Sequence, residues 1–136
     1  MLHHDEQGAV EIWMPASAPF VPLARLDVAL VGSVLECTVD EIEDARLAVE
    51  ELCLWAIRRP RKYRGRLHVT LSWEEGFLDA SCSLVEDDVP CDEGVVPDQL
   101  LDALSMQILA ALVDEHGFDT DLIAPRAWLR KKRTAS

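Results

Sequence analysis

No apolar run of about 20 residues, the length a bilayer-crossing helix needs, occurs in this chain. Its hydrophobic residues, 49% of the total, are spread over many short periodic segments, so a soluble chain without a membrane span is expected. There is no CxxC pair either. Cys37, Cys53, Cys82 and Cys91 stand one each in different predicted elements, which signals neither a zinc site nor a redox motif and leaves free thiols as the expectation. The start, MLHHDEQGAVEIW, turns acidic at once instead of forming a basic and then apolar leader, which points to the cytoplasm. Positive charge is scarce: 13 Lys+Arg stand against 25 Asp+Glu, a net charge of −12. A surface that acidic repels a phosphate backbone, so direct nucleic-acid binding is not expected. The basic charge that exists gathers in RRPRKYRGR (Arg58 to Arg66) and RKKR (Arg130 to Arg133), and reads as solvated loop and tail charge. Convincing histidine ligands are missing as well. His3 and His4 fall in the tail-like start, His68 on the polar side of a strand, and His116 at a helix end. Cys91 lies among carboxylates, surroundings that argue against a nucleophile there.

What is present is enough for one domain. At 136 residues the chain can bury a core without staples, and 1–136 reads as a single unit with 1–8 and 132–136 as disordered tails. AVEIWM (Ala9 to Met14) alternates as a first strand closed by Pro15. A helix is expected over about 20–36, with Pro19 and Pro22 tolerable only near its first turn. TVDEIEDARLAVEELCLWAIRR is the strongest helix signal. Thr38 and Glu41 form a capping-box pattern, acidic residues crowd the start, arginines the end, and Pro60 stops it.

GRLHVTLSW and GFLDASCSLV then read as a hairpin turning at Glu74-Glu75-Gly76. Glu86 to Gln99 reads as an acidic loop. A long helix follows, ending at Gly117, with Leu100, Leu104, Ile108, Ala111 and Leu112 as its core stripe, and AWLRKKR closes the chain as a strand. The fold class is therefore α+β: a two-layer α/β sandwich with helices on one face of a mixed, mostly antiparallel sheet.

One helix poses a question. On a wheel of about 100° per residue, Ile42, Ala45, Val49, Leu52, Cys53 and Ala56 form the stripe laid on the sheet. Leu47, Glu51, Leu54 and Arg58 lie on the far side with Trp55 on its flank, where polar residues are usual. Two leucines and a tryptophan around one carboxylate mean that this outer face is also covered, by a neighbouring helix or loop or by a pocket or partner surface. Glu51 is the best candidate for a catalytic carboxylate. It reads equally as a surface charge or an ion pair with Arg58 or Arg46. Ser105 cannot turn it into a hydrolase, since no histidine has a claim to join them.

VDEIEDARLAVEELCLWAI, with the helix containing Arg25 before it and a hairpin, an acidic loop and LSMQILAALVDE after it, resembles the anti-sigma-factor serine-protein kinases of the GHKL, or Bergerat-fold, ATPase superfamily. It looks closest to their divergent actinobacterial branch. The resemblance runs from about residue 9 to residue 131. It implies that Glu51 holds the place of the general base acting on a substrate serine, and that Trp55 holds the place of the magnesium-binding asparagine. An indole offers magnesium no oxygen. The family's adenine-binding aspartate has no clean counterpart, although Asp87 or Asp88 can be slid into place. Its glycine-rich phosphate box corresponds to Ala103 to Met106, where Ala103 and Ser105 add Cβ atoms to a cradle that needs glycine. The ATP boxes thus look degenerate, and no cofactor is expected.

The resemblance implies an anti-sigma-factor-like regulator of transcription with lost or weakened nucleotide binding. It would bind a sigma factor or an anti-sigma antagonist as a homodimer built through the first strand and helices 1 and 2. The surface near Arg25 and the acidic start of helix 2 (Glu41, Glu43, Asp44) would meet a basic partner, and an acidic binder is steered onto such a surface. The alternatives are an active ATP- and magnesium-dependent serine-protein kinase using Glu51, with Asp87 or Asp88 on adenine, and a dimeric scaffold of the same fold.

Overall fold

The computed structural model describes residues 7–91, 99–120 and 123–134. Alternating residues build β1 (Gly8–Pro15), and a short 3-10 turn (Ala18–Phe20) leads into α1 (Val21–Val34) and α2 (Val39–Ile57). β2 (Tyr63–Glu74) and β3 (Phe77–Pro90) form the expected hairpin. Gly76 occupies its turn at φ 82, a left-handed conformation that side chains with a Cβ resist. α3 (Gln99–Leu112), β4 (Glu115–Asp119) and β5 (Arg126–Lys132) complete the chain.

The strands form one five-stranded sheet in the order β1-β2-β3-β5-β4, and every ladder among the described residues is antiparallel. The alternation expected for the hairpin is the observed one. Leu67, Val69 and Leu71 of β2 and Leu78, Ala80, Cys82 and Leu84 of β3 are buried beneath the helices. Glu11, Trp13 and His68 lie on the open face, where His68 stacks on Trp13 at 4.2 Å and meets Glu11 at 3.0 Å.

α2 is the central helix, touching α1 on one side, α3 on another, and β3 and β5 below. Its start carries the anticipated capping box: the Glu41 amide donates to Thr38 Oγ1 at 3.1 Å, and the Thr38 amide donates to Glu41 Oε1 at 2.7 Å. That arrangement satisfies two of the amides a helix leaves orphaned at its N-terminus. Ala45, Val49, Leu52, Cys53 and Ala56 are fully buried against the sheet, as their spacing predicts. α1 buries Val21, Ala24, Val28 and Val31 and leaves Leu23, Leu26, Leu30 and Val34 about half exposed or more.

Four expectations are corrected. The third helix stops at Leu112, and residues 115–119 form β4 instead of a last turn. Gly117, read as a helix stop, sits opposite Trp128 in the ladder, where a Cβ would come within 2.6 Å of the indole. His116 is accordingly a strand residue. The acidic stretch from Glu86 begins as strand, since β3 runs on to Pro90 beside Tyr63, and residues 92–98 of the expected loop lie outside those described. The stripe expected to anchor the third helix is also misplaced: Ser105 and Leu109 are its buried residues, whereas Leu104 is 48% exposed. At the ends, residues 1–6, with His3 and His4, and 135–136 lie outside those described, while Lys132 belongs to β5 and the Thr134 amide donates to Glu41 at 2.7 Å.

Candidate functional site

α3 covers the outer face of α2 around Glu51, Trp55 and Arg58, whereas Leu47, expected under the same cover, is 48% exposed. Ser105 is 1% exposed and is the one buried polar residue among those described. Its hydroxyl donates to Glu51 Oε2 at 2.8 Å and accepts from Arg58 Nη2 at 2.7 Å. One turn earlier on α3, Asp102 receives two arginines. Arg58 Nε donates to its Oδ1 at 3.1 Å, and Arg59 Nη2 donates to both of its oxygens. Charge-assisted bonds of this kind are about twice as strong as neutral ones, and here they are shielded, with 16% and 11% of the two arginine side chains exposed.

Trp55 fills the flank. It is 3% exposed, tilted against Phe118 of β4 at 4.9 Å, and overlaid by the Arg59 guanidinium at 4.4 Å. Arg59 is held in that position because its Nε also donates to the Trp55 carbonyl at 2.9 Å. Beside it opens a cleft of about 420 Å³, bounded by Trp55, Arg59, Asp102, Met106, His116 and Phe118. Burying the indole while keeping a cation on its face combines apolar contact with cation–π attraction.

The structure brings Glu51, Trp55 and Ser105 together. It does not bring the other nucleotide-box candidates to them. Ala103 is exposed on α3. Asp87 lies near the end of β3, bound by Arg64 at 2.6 Å and by the Val89 amide at 2.7 Å, and those bonds hold its carboxyl below the usual range. Asp88 is exposed beside it.

The partner-facing candidates already have contacts within the chain. Arg25 reaches Glu50 at 3.7 Å, Glu43 reaches Arg46 at 2.6 Å, and Asp44 reaches Lys131 at 3.4 Å. Glu41 joins the capping box to Thr134. Desolvation works to raise its carboxyl, but hydrogen bonds from the Thr38 and Thr134 amides and hydroxyls outweigh it, and the group sits below its ordinary value.

Three members of the cluster were not anticipated: Arg59, Asp102 and Phe118. Asp102 carried a readable signal, being the one charged residue in α3 and therefore needing a cation nearby. Phe118 had none, because β4 itself was not foreseen. Chemically, the cluster is a carboxylate whose Oε2 is engaged by an internal hydroxyl. Trp55, in contact with that cluster, contributes no oxygen ligand. No group of three His, Cys, Asp or Glu among the described residues is arranged to hold a metal ion. None of the helices, among the described residues, is long and apolar enough to cross a membrane.

Fold and cluster together define the class: a two-layer α/β sandwich whose central helix presents a carboxylate to a third helix. Within it, the chain is similar to the serine-protein kinase RsbW of Staphylococcus aureus. Identity is 37% over 64 residues, 47% of this chain and 40% of the relative, for strains bovine RF122 / ET3-1 and MRSA252. For strain JH9 it is 39% over 57 residues, 42% of this chain and 36% of the relative. The match thus spans two fifths or less of the length of these curated relatives. No family model matches the chain.

Proposed function

We propose that this chain is a regulatory binding module of the anti-sigma-factor kind, built on a GHKL-type sandwich, that holds a sigma factor or an anti-sigma antagonist without efficient use of ATP. The observation that carries the proposal is the self-satisfied cluster at Glu51. A general base must be within reach of the hydroxyl it deprotonates, and Glu51 Oε2 is taken by Ser105, which Arg58 holds in place. The residues do not fit magnesium-ATP. Trp55, buried, takes by resemblance the place of an oxygen ligand and offers none, and Ala103 and Ser105 take by the same resemblance the places of glycines that let backbone amides approach phosphate. Similarity to a serine-protein kinase supports the kind of protein, and the altered side chains support the loss of its chemistry.

The partner surface in this reading is acidic and helical. Asp40, Glu43 and Asp44 at the start of α2 belong to a chain of net charge −12, which favours a basic partner and speeds encounter with it. The exposed stripe of α1, Leu23, Leu26, Leu30 and Val34, supports a homodimer contact, since such a stripe on a monomer would stay in water. A working serine-protein kinase is the second reading, favoured by the RsbW similarity and by the retention of a carboxylate at Glu51.

Titration calorimetry with ATP and magnesium, together with the thermal midpoint at millimolar nucleotide, separates the two readings. A ligand that binds the folded state raises the midpoint by mass action. No heat and no shift are expected. A saturable shift would overturn the proposal and favour the kinase.

A further inference from the structure

The arginine pair at the end of α2 has more donors than its partner can use. Arg58 (Nε) and Arg59 (Nη2) converge on the single carboxylate of Asp102, which offers two oxygens and one negative charge to two guanidinium groups. The second arm of Arg58 turns to the neutral oxygens of Ser105 at 2.7 Å and Leu101 at 3.5 Å. Arg59 and Asp102 line one wall of the cleft of about 420 Å³ that also contains His116 and Met106, a volume in the range of small-ligand sites, and Arg58 joins that wall through its bond to Asp102.

From this geometry we infer that Arg58 and Arg59 form a phosphate-receiving site for which Asp102 is the internal occupant. A phosphate dianion carries three terminal oxygens and about two charges, and so satisfies two forks at once where a carboxylate satisfies them in part. Because Asp102 belongs to α3, the exchange has a mechanical consequence. An incoming phosphate takes the guanidinium groups, Asp102 leaves, and the turn that presents Ser105 to Glu51 is released with it. The site is thus a ligand-operated latch on α3. No bond is made or broken beyond hydrogen bonds, and no metal is needed. The inference rests on the arginine geometry and stands whether or not the Glu51 cluster is catalytically silent.

The test uses inorganic phosphate as the probe and the full chain, with sodium chloride matched for ionic strength. In the wild type, tethered Asp102 competes, so binding is weak and is read as faster hydrogen exchange of α3 amides at tens of millimolar phosphate. In Asp102→Asn the competitor is gone, and phosphate affinity should rise at least tenfold, read as broadening of the phosphorus resonance and as a rise in thermal midpoint. Arg59→Gln in the Asp102→Asn background should abolish both signals.

Should Asp102→Asn prove unfolded by circular dichroism, the wild-type exchange measurement decides alone. Phosphoserine and AMP are compared with phosphate. Tighter binding of phosphoserine identifies a modified side chain as the source of the phosphate, and tighter binding of AMP a nucleotide, and either ranking supports the site. No response of the wild-type α3 amides overturns the inference, as does equal phosphate binding by Asp102→Asn with and without Arg59.

Discussion

Ser105→Ala is the sharpest perturbation of the cluster, because it removes one oxygen atom and leaves both ionic neighbours in place. Two charge-assisted hydrogen bonds disappear, one to Glu51 at 2.8 Å and one from Arg58 at 2.7 Å. Each bond to a charged group is worth about 1.5–3 kcal/mol. Two considerations reduce the sum. Arg58 keeps 16% of its side chain exposed, so water can replace part of what is lost, and alanine is a better helix former than serine by about 0.5 kcal/mol.

A net destabilisation of about 2 kcal/mol follows, against a typical domain stability of about 5–15 kcal/mol. With a urea slope of about 2 kcal/mol/M, the midpoint should fall by about 1 M. A double-mutant cycle with Glu51→Ala isolates the bond itself, and a coupling of about 1 kcal/mol is expected for side chains in direct contact. A midpoint shift below about 0.3 M, with the two single substitutions additive, would refute the claim that Ser105 engages Glu51.

Trp55→Ala should cost about 3–5 kcal/mol, because it empties the space between Phe118 and Arg59, and urea unfolding of the variant checks it. Gly117→Ala forces a Cβ to within 2.6 Å of the Trp128 indole and should cost about 1–3 kcal/mol; an unchanged thermal midpoint would show that the indole is free to move aside. Leu30→Glu, at a position 66% exposed, should leave monomer stability within about 0.5 kcal/mol while lowering the sedimenting mass, and an unaltered mass would remove α1 from the proposed dimer contact. Acid should act through Glu41. Its carboxyl is depressed in the folded state, so its contribution is complete above the unfolded value of about 4.3 and is lost as pH falls through the lower folded value. Glu41→Gln should therefore flatten the stability profile below about pH 5, and a slope equal to the wild type there would contradict it.

Periodicity exposed the layers because burial on a sheet leaves a strict imprint. β2 and β3 alternate every second residue, and α2 repeats buried residues at Ala45, Val49, Leu52 and Ala56, so both were readable. The α2 start was readable for a different reason: Thr38 and Glu41 are a local device whose partners are three residues apart. β4 was not legible, because EHGFD is short and its backbone partners lie on β5, some ten residues further on. Its central Gly117 is required by Trp128, a demand that no local pattern reveals.

The outer face of α2 was legible as covered at Trp55 but not as to how, and at Leu47, about half exposed, the expected cover is missing. Leu47, Leu54 and Trp55 called for an apolar cover without naming it, and the third helix carried a leucine stripe read as its core side. The helix docks otherwise, with Asp102, Ser105 and Leu109 inward and Leu104 and Met106 about half exposed. The energies explain the choice. A half-exposed leucine forgoes about 1 kcal/mol of burial, whereas leaving Arg58, Arg59 and Glu51 under an apolar cover would strand three charges, each costing several kcal/mol. Charge demand on α2 therefore sets the rotation of α3, and hydrophobic burial follows where it can. An attachment made this way is directional and open to competition. A leucine seam yields only to another apolar surface, but a carboxylate between two arginines yields to any better anion.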